Sequence, residues 1–170
     1  VTDKPLRVDA NEGWKTKEEA LDMIGWMAGQ GVEIVEQPLP AAQLEDYAWL
    51  KERVKVPIFA DESLILPSDL PRIAPTVHGV NVKLMKCGGV QEAVRLAAMG
   101  RALGLQLMIG CMIETSLGIS AAAAVASLYD YADLDGNLLI SNDPFRGVET
   151  VKDRLVLNDR PGLGVEGDLP

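Results

Sequence analysis

Four times within its first 83 residues the chain runs through a short apolar segment and halts on a charged side chain. Leu6-Arg7-Val8 stops at Asp9, Glu33-Ile34-Val35 at Glu36, Pro57-Ile58-Phe59-Ala60 at Asp61, and Gly79-Val80-Asn81-Val82 at Lys83. Successive stops lie roughly 25 residues apart, close to the length of one strand–helix unit. Between them the apolar period switches from strand-like to helical. Thr16 to Gln30 places Ala20, Leu21, Ile24, Met27 and Ala28 on one face, with Thr16 as N-cap, Glu19 three residues on, and Gly31 as the stop. Leu44 to Val54 repeats the pattern, and a shorter helix is expected over about Pro67 to Ile73.

The alternation continues to the end of the chain. Gly88-Gly89 reads as a turn, Val90 to Leu103 as a helix ending at Gly104, and Leu105 to Ile109 as a nearly continuous apolar strand. Leu117 to Leu128 is rich in alanine and apolar nearly all round, which predicts a heavily buried helix. Tyr131 to Asp135 is a sixth, short strand, and Val148 to Val156 an extended pair before the Pro161-Gly162 turn. Repeated strand–helix units predict an α/β fold with a parallel sheet. A complete (β/α)8 barrel of the TIM type needs about 250 residues and eight units. Six units in 170 residues predict a single domain over 1–170 that carries strands 3 to 8 of such a barrel and lacks the first two. No GxGxxG follows a strand, which argues against a Rossmann sheet. The sequence starts at Val1 without Met, and a candidate ligand follows within ten residues, so it reads as a piece of a longer protein. Strands flanking the gap would offer open sheet edges, which favours a homo-oligomer.

Composition narrows the partners. A net charge of −9 speaks against a nucleic-acid backbone as ligand, which calls for clustered Lys and Arg. The longest apolar stretches are too short or too broken to span a bilayer, and no signal peptide is visible, so no membrane partner is expected. Cys87 and Cys111 are far apart and form no CxxC; two reduced thiols in a cytoplasmic protein are the expectation.

In a parallel barrel the C-terminal ends of successive strands ring one mouth, where active sites lie. Asp9, Glu36 and Asp61 would converge there, and three carboxylates repel unless a cation sits among them. All-oxygen ligation selects a hard divalent ion, Mg2+ with Mn2+ as the alternative. Lys83, one unit later, would face the same mouth; a nearby cation and partial burial both disfavour its charged form, as a general base requires. Metal plus lysine points to abstraction of a proton α to a carboxylate through an ene-diolate. Asp133 and Asp135 sit two apart, on one side of a strand, where both could grip a substrate ammonium group. A calcium loop over Asp133, Asp135 and Asn137 fails, because its sixth position is Leu138 and its twelfth Pro144. His78, the only histidine, precedes a strand and is expected to be structural, which leaves Ser-His-Asp and Cys-His mechanisms without support.

The segments Arg7-Val8-Asp9-Ala10-Asn11, Val35-Glu36-Gln37-Pro38, Ala60-Asp61-Glu62-Ser63 and Asn81-Val82-Lys83-Leu84-Met85-Lys86-Cys87-Gly88-Gly89 closely resemble the muconate-lactonizing-enzyme subgroup of the enolase superfamily. That resemblance implies Mg2+ ligands at Asp9, Glu36 and Asp61 and an acid/base at Lys83 on the sixth barrel strand, with Asn11, Glu62 and Lys86 supporting them. Gly110 to Gly118 on the seventh strand and Asp133-Leu134-Asp135 on the eighth are similar to the L-Ala-D/L-Glu dipeptide epimerases. The similarity implies a small dipeptide substrate, its free amino group held by Asp133 and Asp135 and its body contacted by Met112 and Ile113. It also implies a Lys-x-Lys pair on the second barrel strand and an N-terminal capping domain, neither of which falls within these 170 residues. Epimerisation takes a proton from one face and returns one to the other, so Lys83 serves half of it. A muconate cycloisomerase or o-succinylbenzoate synthase would share the metal triad, but those substrates carry no ammonium for the Asp-x-Asp pair. A non-catalytic truncated barrel or interaction module is the alternative from another class.

Overall fold

The computed structural model describes residues 4–167. Six strands, β1 (Leu6–Asp9), β2 (Val32–Glu36), β3 (Ile58–Ala60), β4 (Gly79–Lys83), β5 (Gln106–Gly110) and β6 (Tyr131–Ala132), lie in the sheet in sequence order. The pairs β1–β2, β2–β3, β3–β4 and β5–β6 all run parallel. Sequential parallel order is what repeated right-handed strand–helix units produce, and it is the order a (β/α)8 barrel requires. The chain divides into two compact units, residues 1–81 with 99–106 and residues 82–98 with 107–170.

In the first unit, α1 (Lys17–Gly29) and α2 (Leu44–Lys51) return the chain between β1, β2 and β3. Thr16 caps α1 as expected, its Oγ accepting the Glu19 N–H at 3.2 Å. Glu19 reaches back one residue further than in a capping box, to the Lys15 N–H. Only Ala20 and Ile24 of the apolar face of α1 are fully buried. α2 ends at Lys51, three residues short of the expected Val54, and the expected Pro67–Ile73 helix is a 3-10 turn running into the four-residue α3 (Leu70–Ile73). The core is built from β2 and β3 (Ile34, Val35, Ile58, Phe59) with Tyr47, Leu50, Leu70 and Ile73 from the helices. Phe59 also restricts β4: a Cβ on Gly79 would stand 2.5 Å from its ring, so the strand enters with glycine.

In the second unit a one-turn helix not anticipated from the sequence, α4 (Leu84–Cys87), follows Lys83 directly. It closes on Gly88 at φ 98°, a left-handed conformation that suits glycine, and α5 (Val90–Ala102) begins after Gly89. The alanine-rich segment differs from expectation. α6 (Ser116–Ala123) stops early, a 3-10 turn covers Ala126–Leu128, and Ala124 and Leu128 are exposed. Alanine carries little burial information because it suits either environment. The buried face includes two serines, and both bind the tail: Ser116 donates to Asp143 at 2.6 Å and Ser120 accepts the Val148 N–H at 2.8 Å. The expected extended pair is the antiparallel hairpin β8 (Glu149–Val151) and β9 (Arg154–Val156). A two-residue pairing of β7 (Phe145–Arg146) with β10 (Glu166–Gly167) was not legible in the sequence.

Candidate metal centre and flanking residues

The carboxylates of Asp9, Glu36 and Asp61 each offer an oxygen within 4.8 Å of the other two. Asp9 and Glu36 end strands of the first unit and Asp61 directly follows one, and the register sets them near one level: Asp9 pairs with Glu36, and Glu36 with Phe59, two residues before Asp61. Glu36 and Asp61 are 6% and 2% exposed, while Asp9 faces solvent. Three oxygens sharing one Mg2+ at about 2.1 Å lie about 3.0–3.6 Å apart, so closing on an ion needs shifts of up to about an ångström. Carboxylate oxygens held this close repel one another, which calls for positive charge beside the buried pair. The donor set is all carboxylate oxygen, the set a hard divalent cation takes.

The backbone around the three acids is unusual. Asn11, Glu12 and Gln37 have φ of 45°, 59° and 36°, the left-handed region that non-glycine residues seldom occupy. Asn11 bends so that its own N–H donates to Asp9 Oδ1 at 2.8 Å. Asn81, 2% exposed on β4, donates from Nδ2 to Glu36 Oε1 at 2.7 Å, and its Oδ1 is buried without a hydrogen-bond partner. Gln37 bonds the loop after β3 through its side chain. Neither Asn81 nor Gln37 stood among the sequence candidates, although both lie inside the quoted motifs. Glu62, next to Asp61, is half-buried.

His78 acts structurally, as expected. Its Nδ1 accepts the Ile58 N–H at 3.1 Å and its backbone pairs with Ile58 and Gln106. Burial, with Lys51 contributing, lowers its pKa below the ordinary imidazole value.

The remaining candidates belong to the second unit. Lys83 closes β4 in extended conformation, half-buried, and Lys86 is half-buried one turn on in α4. Met112 and Ile113 follow β5 and are exposed. Their loop is tied by the Met112 N–H to Glu114 Oε1 at 3.1 Å, and burial raises the Glu114 carboxyl. β6 ends at Ala132, so Asp133 and Asp135 lie beyond the strand rather than at its last positions. The ladder runs one bond further, Asp133 N–H to Ile109 C=O at 2.9 Å, before the chain turns into a 3-10 helix at Gly136. Alternation survives that far: Leu134 is buried between an exposed Asp133 and an exposed Asp135. Cys87 and Cys111 are both free thiols, raised in pKa by burial.

A sequential parallel β/α sheet whose strand ends gather three carboxylates is an arrangement that could hold a divalent metal ion. Residues 1–170 match the family model described as enolase C-terminal domain-like, and the chain belongs to that family. It is 51% identical over 165 residues to the L-Ala-D/L-Glu epimerase of Bacteroides thetaiotaomicron, covering 97% of this chain and 43% of the relative. The substrate-liganded L-Ala-D/L-Glu epimerase of Bacillus subtilis matches with a TM-score of 0.89 and 37% identity, over 96% of this chain and 47% of that one. The dipeptide epimerase of Enterococcus faecalis complexed with Mg and L-Leu-L-Tyr matches with a TM-score of 0.89 and 36% identity, over 97% and 49%. The chain thus spans under half the length of these relatives.

Proposed function

We propose that the protein carrying this chain is a Mg2+-dependent dipeptide epimerase of the L-Ala-D/L-Glu type. The observation that supports it most directly is the convergence of Asp9, Glu36 and Asp61 within 4.8 Å, in a chain 51% identical to such an epimerase. The three carboxylates fit the ion by number, charge and oxygen chemistry, and Mn2+ can replace it. When bound, the ion supplies the positive charge that draws in a substrate carboxylate and stabilises the charge developed there as the α-proton leaves.

The chain's own residues do the rest. Lys83 Nζ removes the α-proton on one face, or delivers one to it in the reverse direction. The second lysine of the family's Lys-x-Lys pair, outside residues 1–170, serves the opposite face. Asp133 and Asp135 hold the free ammonium of the dipeptide, which selects against N-acylated substrates. Met112 and Ile113 contact the body of the dipeptide, and Asn11, Glu62 and Lys86 keep the ligands and Lys83 in place. Residues 1–170 form one portion of the barrel domain. The two free thiols accord with a cytoplasmic location, and exposed Trp26 and Leu6 with self-association.

In the intact protein, Lys83→Ala is expected to abolish epimerisation of L-Ala-L-Glu while leaving Mg2+ binding unchanged. Turnover retained by that variant contradicts the assignment.

A further inference from the structure

Gln37 follows Glu36 directly, is 0% exposed, and holds φ at 36°, a conformation that glutamine adopts only when its surroundings enforce it. All the hydrogen-bonding capacity of its carboxamide is used. Oε1 accepts the Asp61 N–H at 2.8 Å and the Ser63 N–H at 3.3 Å. Nε2 donates to Ser63 Oγ at 2.9 Å and to Leu39 C=O at 3.0 Å. The backbone of the same residue extends the link to both neighbouring strands. Its N–H donates to Phe59 C=O at 2.8 Å, and its C=O accepts the Glu12 N–H, also at 2.8 Å. Tyr47 pins the far side of the turn, its buried hydroxyl accepting the Leu39 N–H at 3.0 Å.

One residue therefore touches the strand ends that bear all three acids: its own neighbour Glu36, the amide of Asp61, and the left-handed loop after Asp9. We infer that Gln37 is a positioning residue for a divalent cation, a buried amide clamp that fixes the spacing of the Asp9, Glu36 and Asp61 carboxylates. The inference rests on the metal reading above. Like-charged side chains drift apart unless their backbones are held, and outer hydrogen bonds of this kind set how well a preformed cluster receives an ion. The clamp needs the length of Gln to reach Asp61 and its donor to hold Leu39. Neither a shorter amide nor an isosteric thioether supplies both.

The test is Mn2+ binding by the chain, read by electron paramagnetic resonance titration, with folding checked by circular dichroism. Gln37→Asn tolerates the left-handed backbone but draws the amide back from Asp61. Gln37→Met keeps the length and removes both hydrogen-bonding groups. Each variant is expected to bind Mn2+ about ten-fold or more weakly than wild type. Ser63→Ala, which spares the Gln37 bond to Asp61, is expected to stay within about three-fold. Unchanged affinity in whichever Gln37 variant folds overturns the inference while the metal reading stands. A wild-type chain that binds no Mn2+ overturns both.

Discussion

Asn81 Nδ2 stands 2.7 Å from Glu36 Oε1, a buried amide donating to a buried carboxylate across 45 positions of sequence. That bond engages Oε1 of Glu36 from β4. It also explains how a carboxylate that is 6% exposed is tolerated, since a buried acid without donors loses its hydration uncompensated. Asn81→Ala removes the donor without adding charge. The variant is expected to lose about 1–3 kcal/mol of stability in urea unfolding of the metal-free chain. Stability equal to wild type would show that the bond does not hold Glu36.

His78 gives a pH signature that no other side chain of this sequence shares, because it is the only histidine. Burial lowers its folded pKa, and Nδ1 must stay unprotonated to accept the Ile58 N–H. The unfolded chain therefore takes up a proton first as pH falls through about 6.5. Stability is complete above that value and declines below it. Chemical denaturation between about pH 7.5 and about pH 5.5 is expected to show the decline. His78→Asn, which keeps an acceptor but cannot titrate, is expected to flatten it; an unaltered slope contradicts the assignment.

Asp143 fastens the tail to α6. Its Oδ2 accepts the Ser116 N–H at 2.7 Å and the Ser116 hydroxyl, while Oδ1 accepts the Phe145 N–H at 3.0 Å. Desolvation pushes its pKa up, but the Ser116 and Phe145 bonds outweigh it and the net shift is downward. The stabilisation is present above about pH 4 and lost as pH falls through the lowered folded value. Asp143→Ala is expected to cost about 1 kcal/mol, as loss of a helix cap does, and to speed hydrogen exchange at Phe145 and Val148. Exchange as slow as in wild type would separate the tail from this contact.

Asp135 is the residue on which the dipeptide assignment turns. In the intact protein Asp135→Asn is expected to raise KM for L-Ala-L-Glu by about ten-fold or more, the loss of one charge-assisted bond, without altering metal affinity. Equal turnover of an N-acylated dipeptide by wild type would remove the ammonium-binding role from Asp133 and Asp135.

The sheet and the three acids were legible because both follow from local pattern. Apolar runs broken by helical periods give the strand order, and a carboxylate directly after each of three runs gives the cluster. Gln37 and Asn81 were not legible as parts of the centre, since their partners lie 24 and 45 residues away and depend on parallel register. Nothing local forecasts the left-handed φ at Glu12 and Gln37, ordinary residues held there by tertiary bonds, whereas Asn11 is of a type that tolerates it and bonds Asp9 two residues back. The excess burial expected of Leu117 to Leu128 failed because alanine reads as apolar yet has little to bury. The shortened β6 followed from a turn whose trigger, Gly136, is set by packing: a Cβ there would lie 2.1 Å from the Met112 carbonyl oxygen.

Anomalous diffraction from crystals of the chain grown with Mn2+ tests the metal centre most directly. A single peak is expected with one oxygen each of Asp9, Glu36 and Asp61 at about 2.1–2.2 Å. A peak elsewhere, or none at this cluster with the ion in excess, would contradict it.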